Sequence, residues 1–314
     1  MSGVDSVLLV AFGGPTAPHE IRPFLEIVTR GRGIPAERVE EVAHHYEQMP
    51  GGRSPLAELT LAQARALQQT LTQRGPTLPV FVGMRNWHPF LYETLAEMAG
   101  KGARRTLAII LSPLRTEASW DRYIQDVAEA RARVAGAPEV GFAPAWFENS
   151  RFVAAVADRA RAALGEVPAD ARAGTPLVFT AHSVPVAMAD VSPYVSDLSA
   201  ATRAVVRRLG HTRWSIAYQS RSGSPRQPWL EPDVGDALRR LAADGEHHAV
   251  VVPIGFVCDH VEVLYDLDVE ARRVAAGAGL ELHRAAAVND HPEFVAMLAD
   301  LVRGAHGGAR AGLR

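Results

Sequence analysis

Short apolar runs alternate with longer segments of helical periodicity along the whole chain, and this alternation restricts the possible folds more than any other feature. Eight of the runs are rich in Val, Ile and Phe and are predicted to be strands. They cover residues 6–12, 79–84, 105–111, 141–145, 176–181, 213–219, 248–254 and 280–283. Strands separated by helices are typical of parallel sheets covered by helices. The spacing therefore predicts an α/β protein with four strands in each half.

The segments between these runs are predicted to be helical. The clearest of them cover residues 35–49, 55–74, 150–164, 192–209 and 261–275. Gly75 and Pro76 end the second helix, and a Pro/Ala/Asp-rich link over 167–175 precedes the fifth strand. Ligands of open parallel sheets bind outside the carboxyl ends of the strands. We therefore expect the functional residues directly after the strands.

Composition narrows the classes of function. The length of 314 residues predicts two domains, and a net charge of -2 makes nucleic acid an unexpected partner. The single cysteine, Cys258, cannot form an intramolecular disulfide or hold an iron–sulfur cluster by itself. No basic region precedes the first apolar run, and no stretch approaches the roughly 18 apolar residues that a membrane span needs. These features predict a cytoplasmic protein without an integral membrane segment.

One histidine follows a predicted strand directly. The fifth strand, PLVFTA, runs into His182 and a proline-bearing loop. An imidazole can accept a proton or bind a metal near neutral pH, which makes His182 a candidate for chemistry. A single histidine is more commonly a structural residue, so position alone leaves both interpretations open.

The segment after the seventh strand carries a row of acids. Glu262, Asp266 and Glu270 are spaced i, i+4, i+8, which stacks their carboxylates along one face of an α-helix and favours a bound cation. The alternative is a solvated acidic face. Asp259 and Glu262 also lie where the helix dipole favours acids for reasons unrelated to catalysis.

The loop after the first strand bears on nucleotide binding. Its sequence, GGPTAP, is neither G-x-G-x-x-G nor a Walker loop. The glycine pattern of a nucleotide-binding enzyme is therefore absent from this loop, and we expect the activity to need no ATP.

Several segments together resemble one enzyme family. FTAHSVP, YQSRSGSPRQPWLEPDV and PIGFVCDHVEVLYDLDVEA are similar to signature segments of the ferrochelatases. VLLVAFGGP, RGRGIP, YEQMPGGRSPLAELT and GMRNWHPF resemble the amino-terminal half of the same family, in the same order. The resemblance implies two Rossmann-like domains with an active cleft between them. It assigns residues 1–146 and a returning carboxyl-terminal helix, 291–314, to the first domain, and residues 147–290 to the second.

The same resemblance implies roles for the residues already singled out. It places His182 at the position of the essential histidine, and Glu262 at that of the acidic residue that faces it across the porphyrin. Both are then catalytic and can bind the metal, while Asp266 and Glu270 match an acidic patch for metal passage. No cofactor is implied beyond the Fe²⁺ substrate, although Mg²⁺ at this acidic face is a further hypothesis.

Substrate-binding residues are implied in the amino-terminal half. Arg30, Arg32 and Ser54 lie in segments that resemble the lip of the porphyrin site, where arginine suits propionate carboxylates. Ser54 has an alternative role as a cap of the helix that follows it. Phe12 stands where relatives often have tyrosine, so ring stacking is expected without a phenolic hydroxyl. Tyr123 resembles a further pocket tyrosine.

The resemblance leaves the tetrapyrrole open. YEQMPGGRSPL and the compact length favour coproporphyrin III, which has four propionates, over protoporphyrin IX, which has two. More remote alternatives are a cobalt or nickel chelatase for another tetrapyrrole, and a protein that binds haem or porphyrin without catalysis. The expected partners are the porphyrin and Fe²⁺, with transient contact to an iron donor or to the next enzyme of haem synthesis. We expect a monomer.

Overall fold

A computed structural model describes residues 3–31, 33–223 and 227–307, and within them the chain forms two compact units. The first unit contains the described residues up to Pro113, Glu117–Trp146 and those from Asp290 onward. The second unit contains Leu114–Thr116 and Phe147–Asn289. The short piece Leu114–Thr116 is tied to the second unit because the Arg115 guanidinium makes two 2.8 Å hydrogen bonds to the buried carboxylate of Asp197.

The first unit is built on a parallel sheet of four strands in the order β2-β1-β3-β4. These strands are β1 (Ser6–Ala11), β2 (Val80–Met84), β3 (Arg105–Ile110) and β4 (Glu139–Phe142). Its helices are α1 (Ile21–Thr29), α2 (Ala36–Glu47), α3 (Leu56–Arg74), α4 (Leu91–Gly100), α5 (Arg122–Ala132) and α12 (Pro292–His306), together with a 3₁₀ turn (Pro18–Glu20) and a π-helical turn (Glu117–Asp121). Every residue of β1 is buried, as expected for the central strand of a sheet that is covered on both faces.

The second unit repeats this design with the strand order β6-β5-β7-β8, again all parallel. These strands are β5 (Leu177–His182), β6 (Trp214–Gln219), β7 (His248–Val252) and β8 (Glu281–Arg284). Its helices are α6 (Ser150–Glu166), α7 (Val186–Asp190), α8 (Tyr194–Leu209), α9 (Val234–Ala243), α10 (Val261–Val263) and α11 (Arg272–Gly277), with a π-helix (Leu264–Ala271) between the last two. The predicted α/β class with two four-stranded parallel sheets is confirmed.

The core of the second unit has two sides. Val178, Val251 and Leu282 pack with Leu238 of α9 and Leu267 of the π-helix on one face of the sheet. The helices α6 and α8 pack against each other, and α6 contacts β7 and β8. Because side chains alternate along a strand, the residues directly before and after Val178, Val251 and Leu282 point to the other face of the sheet. This alternation decides which side chains of β7 and β8 share a face with one another.

Some predicted bounds differ from the structure. The fourth strand was expected at 141–145 but runs over Glu139–Phe142, since its pairing with β3 begins at Arg105↔Glu139 and ends at Ala108↔Phe142. The helix expected over 261–275 is divided into α10, the π-helix and α11. None of the helices that the structure describes is both long and apolar enough to cross a membrane.

Candidate active site

The strand order of the second unit locates a ligand site before any side chain is considered. In the order β6-β5-β7-β8, the chain connections leave β5 and β7 in opposite directions, and such a switch point opens a crevice at the carboxyl ends of the two strands. His182 is the last residue of β5, and Glu262 follows β7 at the start of α10. The topology therefore brings together the two residues that the sequence singled out.

The ring of His182 is bonded to the carbonyl of the next residue, and a buried tyrosine holds the His182 backbone. Its Nδ1 lies 2.6 Å from the carbonyl oxygen of Ser183, and its carbonyl accepts a 2.8 Å hydrogen bond from the Tyr194 hydroxyl. Burial, together with nearby Tyr218 and Glu262, raises the pKa of Tyr194, so this hydroxyl stays protonated as a donor. The imidazole itself is 30% exposed and therefore accessible to a ligand.

The tautomer of His182 follows from these contacts. A carbonyl oxygen can only accept, so Nδ1 must carry the proton that it donates to Ser183. In the neutral ring, Nε2 then keeps its lone pair. This nitrogen lies 3.8 Å from Oε2 of Glu262, whose side chain is 43% exposed. The pair thus offers an unprotonated nitrogen and a carboxylate side by side.

Glu262 is positioned through its backbone. Its N–H donates to Nδ1 of His260, the N-cap of α10, at 3.2 Å, and its carbonyl accepts from Nε2 of Gln219 at 2.9 Å. Gln219 is itself buried at the end of β6, beside β5. These bonds leave the carboxylate free to face His182, so changes at the carboxylate need not disturb the backbone that carries it.

A glycine permits the close approach of the loop after β7. A Cβ on Gly255 would lie 2.6 Å from Cβ and 2.7 Å from Cα of Ala181, closer than real atoms approach. Gly255 also donates its N–H to the carbonyl of Thr180 at 3.0 Å. This contact brings the segment leading to Glu262 against the last residues of β5.

An ion-pair network fixes the same loop from its other side. Arg284, which is largely buried, makes 2.7 Å hydrogen bonds to Asp259 and to Asp268. Asp259 also accepts from the N–H of Ala287 and from the side-chain amide of Asn289. The sequence suggested that Asp259 serves the helix dipole, but it precedes the N-cap and is bound to Arg284 instead.

The acidic row after Glu262 lies on a π-helix. Asp266 accepts a short hydrogen bond from the Ser220 hydroxyl, and Glu270 is exposed near the end of the π-helix. A π-helix has i→i+5 hydrogen bonds and slightly more than four residues per turn, so residues four apart remain near one face. The expectation of a regular α-helix is wrong here, although the expected alignment of the acids does not depend on it.

Two candidate residues of the first unit, Phe12 and Tyr123, lie beside an arginine that the sequence interpretation missed. The Arg85 guanidinium lies 4.3 Å from the ring centre of Tyr123 and 5.9 Å from that of Phe12, and it pairs with Asp126. Phe12 follows β1, and its carbonyl accepts from the backbone and side chain of Asn86. Tyr123 is buried and Phe12 is half-buried, so Phe12 is the more accessible of the two rings.

The loop after Phe12 requires glycine. Gly13 has φ +90°, and a Cβ there would lie 3.0 Å from the backbone nitrogen of Trp87. Trp87 is itself buried and donates its indole N–H to Glu20 at 2.9 Å. The glycine therefore lets the loop after β1 approach the residues at the end of β2 closely.

The three remaining candidates of the first unit have different surroundings. Arg30 is exposed at the end of α1 and makes no ion pair with any residue that the structure describes. Arg32 lies outside the described residues. Ser54 is buried, and its hydroxyl accepts from the N–H of Leu56 at 3.3 Å. Ser54 thus supports the start of α3, which is the alternative role raised by the sequence.

Comparison with known proteins identifies the family. The family model for Ferrochelatase matches residues 4–306. The chain belongs to the ferrochelatase family. It is a lyase that inserts iron into a porphyrin, as the segments around His182 and Glu262 led us to expect.

Individual relatives agree with this assignment. The chain is 45% identical over 312 residues to the coproporphyrin III ferrochelatase of Frankia alni, covering 95% of this chain and 79% of the relative. It is 42% identical over 301 residues to the ferrochelatase of Rhodopirellula baltica, covering 95% and 85%. A solved structure, SirB from Bacillus subtilis with Fe³⁺, aligns over 98% of both chains with a TM-score of 0.62 at 10% identity. That last similarity shows the chelatase-like fold alone.

The N-cap of α10 gives a prediction about stability and pH. Burial lowers the pKa of His260 from its ordinary 6.5, although Glu262 and Asp259 act in the opposite direction. The unfolded chain therefore binds this proton more tightly, and the free energy of unfolding should fall as the pH drops below 6.5. His260→Asn keeps a capping acceptor but does not titrate, so it should lack this part of the pH dependence.

The test compares urea unfolding midpoints of wild type and His260→Asn at about pH 7.5 and about pH 5.5, on either side of the histidine range. The other histidines affect both proteins equally, so the difference isolates His260. Parallel losses of stability in the two proteins would contradict the prediction.

Proposed function

We propose that the enzyme inserts Fe²⁺ into coproporphyrin III, with His182 and Glu262 as the catalytic pair. The observation that carries the proposal is that Nε2 of the partly exposed His182 lies 3.8 Å from Oε2 of Glu262 while Nδ1 is bound to a carbonyl. An unprotonated imidazole nitrogen is a base and a ligand for borderline metals, and a carboxylate can take a second proton.

The chemistry of insertion matches these groups. A free-base porphyrin carries two pyrrole N–H groups, and the metalloporphyrin carries none, so one Fe²⁺ enters as two protons leave. Nε2 of His182 accepts one of these protons, and Glu262 accepts or relays the other. Because the Ser183 carbonyl holds Nδ1 of the ring and Tyr194 holds the backbone that carries it, the base needs no reorientation before the transfer.

The acids beyond Glu262 suit the delivery of the metal. Asp266 and Glu270 continue from Glu262 along the same side of the segment, and carboxylates bind hydrated divalent cations readily. Fe²⁺ can exchange its water ligands for carboxylate oxygens stepwise along such a row. Ser220 holds Asp266 by a short hydrogen bond, which positions that carboxylate one helical turn beyond Glu262.

Two features support coproporphyrin III as the porphyrin. The relative from Frankia alni is a coproporphyrin III ferrochelatase. Exposed Arg30 has a guanidinium available for a propionate, and coproporphyrin III presents four propionates where protoporphyrin IX presents two. Phe12 offers an accessible apolar ring for a macrocycle face.

Competition between the two porphyrins tests the choice of substrate. Equal concentrations of coproporphyrin III and protoporphyrin IX are mixed anaerobically with Fe²⁺ and the enzyme, without nucleotide, and the two metal complexes are separated and quantified. We expect iron-coproporphyrin to form first, because the two additional propionates gain charge-assisted contacts that protoporphyrin lacks.

A control without enzyme gives the spontaneous rate for each porphyrin, and detergent at one fixed concentration keeps both monomeric. Equal or faster formation of protohaem would reject coproporphyrin III as the preferred substrate. It would leave the assignment of iron insertion intact, because either product requires the same chemistry.

A further inference from the structure

Two imidazoles and a carboxylate meet at the amino-terminal ends of β7 and β8 in the second unit. His248 is the first residue of β7, Glu281 is the first residue of β8, and the register pairs them side by side. His283 lies two residues beyond Glu281 and therefore on the same face of β8. One ligand atom from each of the three residues lies within 4.8 Å of the others.

This cluster is separate from the catalytic pair. The register aligns Leu177 of β5 with Val250 of β7, so His248 lies seven residues before His182 along the strand direction. At roughly 3.3 Å per residue, the two positions are about 23 Å apart. The cluster lies at the amino-terminal ends of the strands, whereas His182 lies at the carboxyl-terminal end of β5.

From this arrangement we infer that His248, Glu281 and His283 form a zinc site. Nδ1 of His248 lies 3.3 Å from Nε2 of His283 and 3.4 Å from Oε2 of Glu281, and Nε2 of His283 lies 3.8 Å from Oε1 of Glu281. Zinc bonds of about 2.0–2.2 Å in a tetrahedron place neighbouring ligand atoms about 3.3–3.6 Å apart. The ligand atoms are therefore already near the spacing that the ion requires.

A carboxylate behind His283 supports the same site. Its other ring nitrogen, Nδ1, lies 3.7 Å from Oε2 of Glu166, the last residue of α6. Histidine ligands of metals commonly donate their second ring N–H to a carboxylate, which fixes the tautomer and makes the ligand more basic. The 3.7 Å separation is longer than a hydrogen bond, but a small rotation of the exposed Glu166 side chain would let Nδ1 donate to it and leave the Nε2 lone pair for the metal.

The exposure of the three side chains and the types of their ligand atoms indicate which ion the cluster would bind. The His283 side chain is 7% exposed and that of His248 18%, whereas the Glu281 carboxylate is 64% exposed. Buried His283 and partly buried His248 would anchor the ion, and the exposed carboxylate would rotate onto it while water takes the fourth position. Two nitrogens and one oxygen suit Zn²⁺ and similar borderline metals rather than Mg²⁺ or Ca²⁺.

The bound ion would link the edge strand β8 to β7. Zinc that binds the folded chain and not the unfolded chain raises stability by mass action. The bound zinc therefore holds the edge strand β8 to β7 and stabilises the fold, independently of iron insertion and of the proposed porphyrin.

Zinc binding to the full-length chain tests the site. Metal-stripped wild type, His248→Gln and Glu281→Gln are dialysed against buffered Zn²⁺, and the bound zinc per chain is measured. Each variant should lose one zinc equivalent, or bind it at least about tenfold more weakly, because it removes a direct ligand. Glu166→Gln should weaken the same equivalent by about tenfold through the orientation of His283.

Two controls distinguish this site from other metal sites. His247→Gln removes an exposed histidine adjacent to His248 and should keep the full zinc content, and His182→Ala should retain the equivalent assigned to the cluster. Glu281→Gln changes an exposed side chain, and its unfolding midpoint without metal should equal that of wild type, with the zinc-induced rise absent. Equal zinc content in wild type and both cluster variants, or equal loss in His247→Gln, would overturn the inference.

Discussion

Replacing His182 with alanine is expected to lower kcat for iron insertion by about 10²–10⁴-fold, the range that a positioned general base contributes. The reason is specific to its contacts. Nδ1 is bound to the Ser183 carbonyl, so Nε2 is the nitrogen that can take a pyrrole proton or contact the metal. Alanine removes that nitrogen. The measurement is the initial rate of metalloporphyrin formation at saturating porphyrin, followed by absorbance under anaerobic conditions.

The fold should survive the substitution. Tyr194 bonds to the backbone carbonyl of residue 182, and that bond does not depend on the imidazole. Added free imidazole should restore part of the rate, which a purely structural role would not predict. His211→Ala is the matched control, because His211 also bonds to a backbone carbonyl, that of Thr175 before β5, but lies away from the carboxyl end of the strand. Wild-type kcat in His182→Ala would remove this residue from the chemistry.

Physical reasoning from the sequence predicted the strands and the end of the sheet at which functional residues lie. Apolar runs separated by helices identify parallel strands, and parallel strands place the residues after them at a common edge. This logic placed His182 and Glu262 at the carboxyl ends of their strands, and only the resemblance to the ferrochelatases implied that the two face each other. Periodicity does not reveal that β5 and β7 are neighbours, which is what brings the pair to 3.8 Å.

The π-helix illustrates a limit of sequence patterns. An i, i+4, i+8 row of acids fits an α-helix and a π-helix almost equally well, because both have close to four residues per turn. The choice depends on which carbonyl each N–H reaches, and tertiary contacts such as Arg284 with Asp268 and Ser220 with Asp266 contribute to that choice. The π-helix could not be predicted from these residues alone.

Arg85 and the zinc cluster were missed for a related reason. Arginine supplies nearly all the cations of this chain, so a single arginine in GMRNWHPF gave no signal, and its place beside the rings of Phe12 and Tyr123 is a tertiary contact. His248 and His283 are 35 residues apart, and only the register of β7 with β8 brings them together. A sequence search for closely spaced ligands cannot find such a site.

The acidic partner should respond differently from the histidine. Glu262→Gln is expected to lower kcat by about 10²-fold, at the low end of the range for a positioned proton acceptor, because the amide keeps the shape and loses only the negative charge and the basic oxygen. The backbone bonds to His260 and Gln219 do not involve the carboxylate and should remain. Stability should therefore change little while the rate falls.

The effects on kcat and on KM for iron separate a proton acceptor from a metal ligand at this position. If Glu262 accepts or relays a pyrrole proton, the loss should appear in kcat at saturating Fe²⁺, and a lower pH should not restore the rate. If it only guides the metal, raising Fe²⁺ should recover the wild-type kcat, so the effect would appear in KM for iron. Glu97→Gln removes an exposed carboxylate from α4, where it pairs with Lys101, and controls for the loss of one charge. A Glu262→Gln enzyme with wild-type kcat and wild-type KM for iron would exclude the carboxylate from both roles, and the second proton would then have to leave through His182 or solvent.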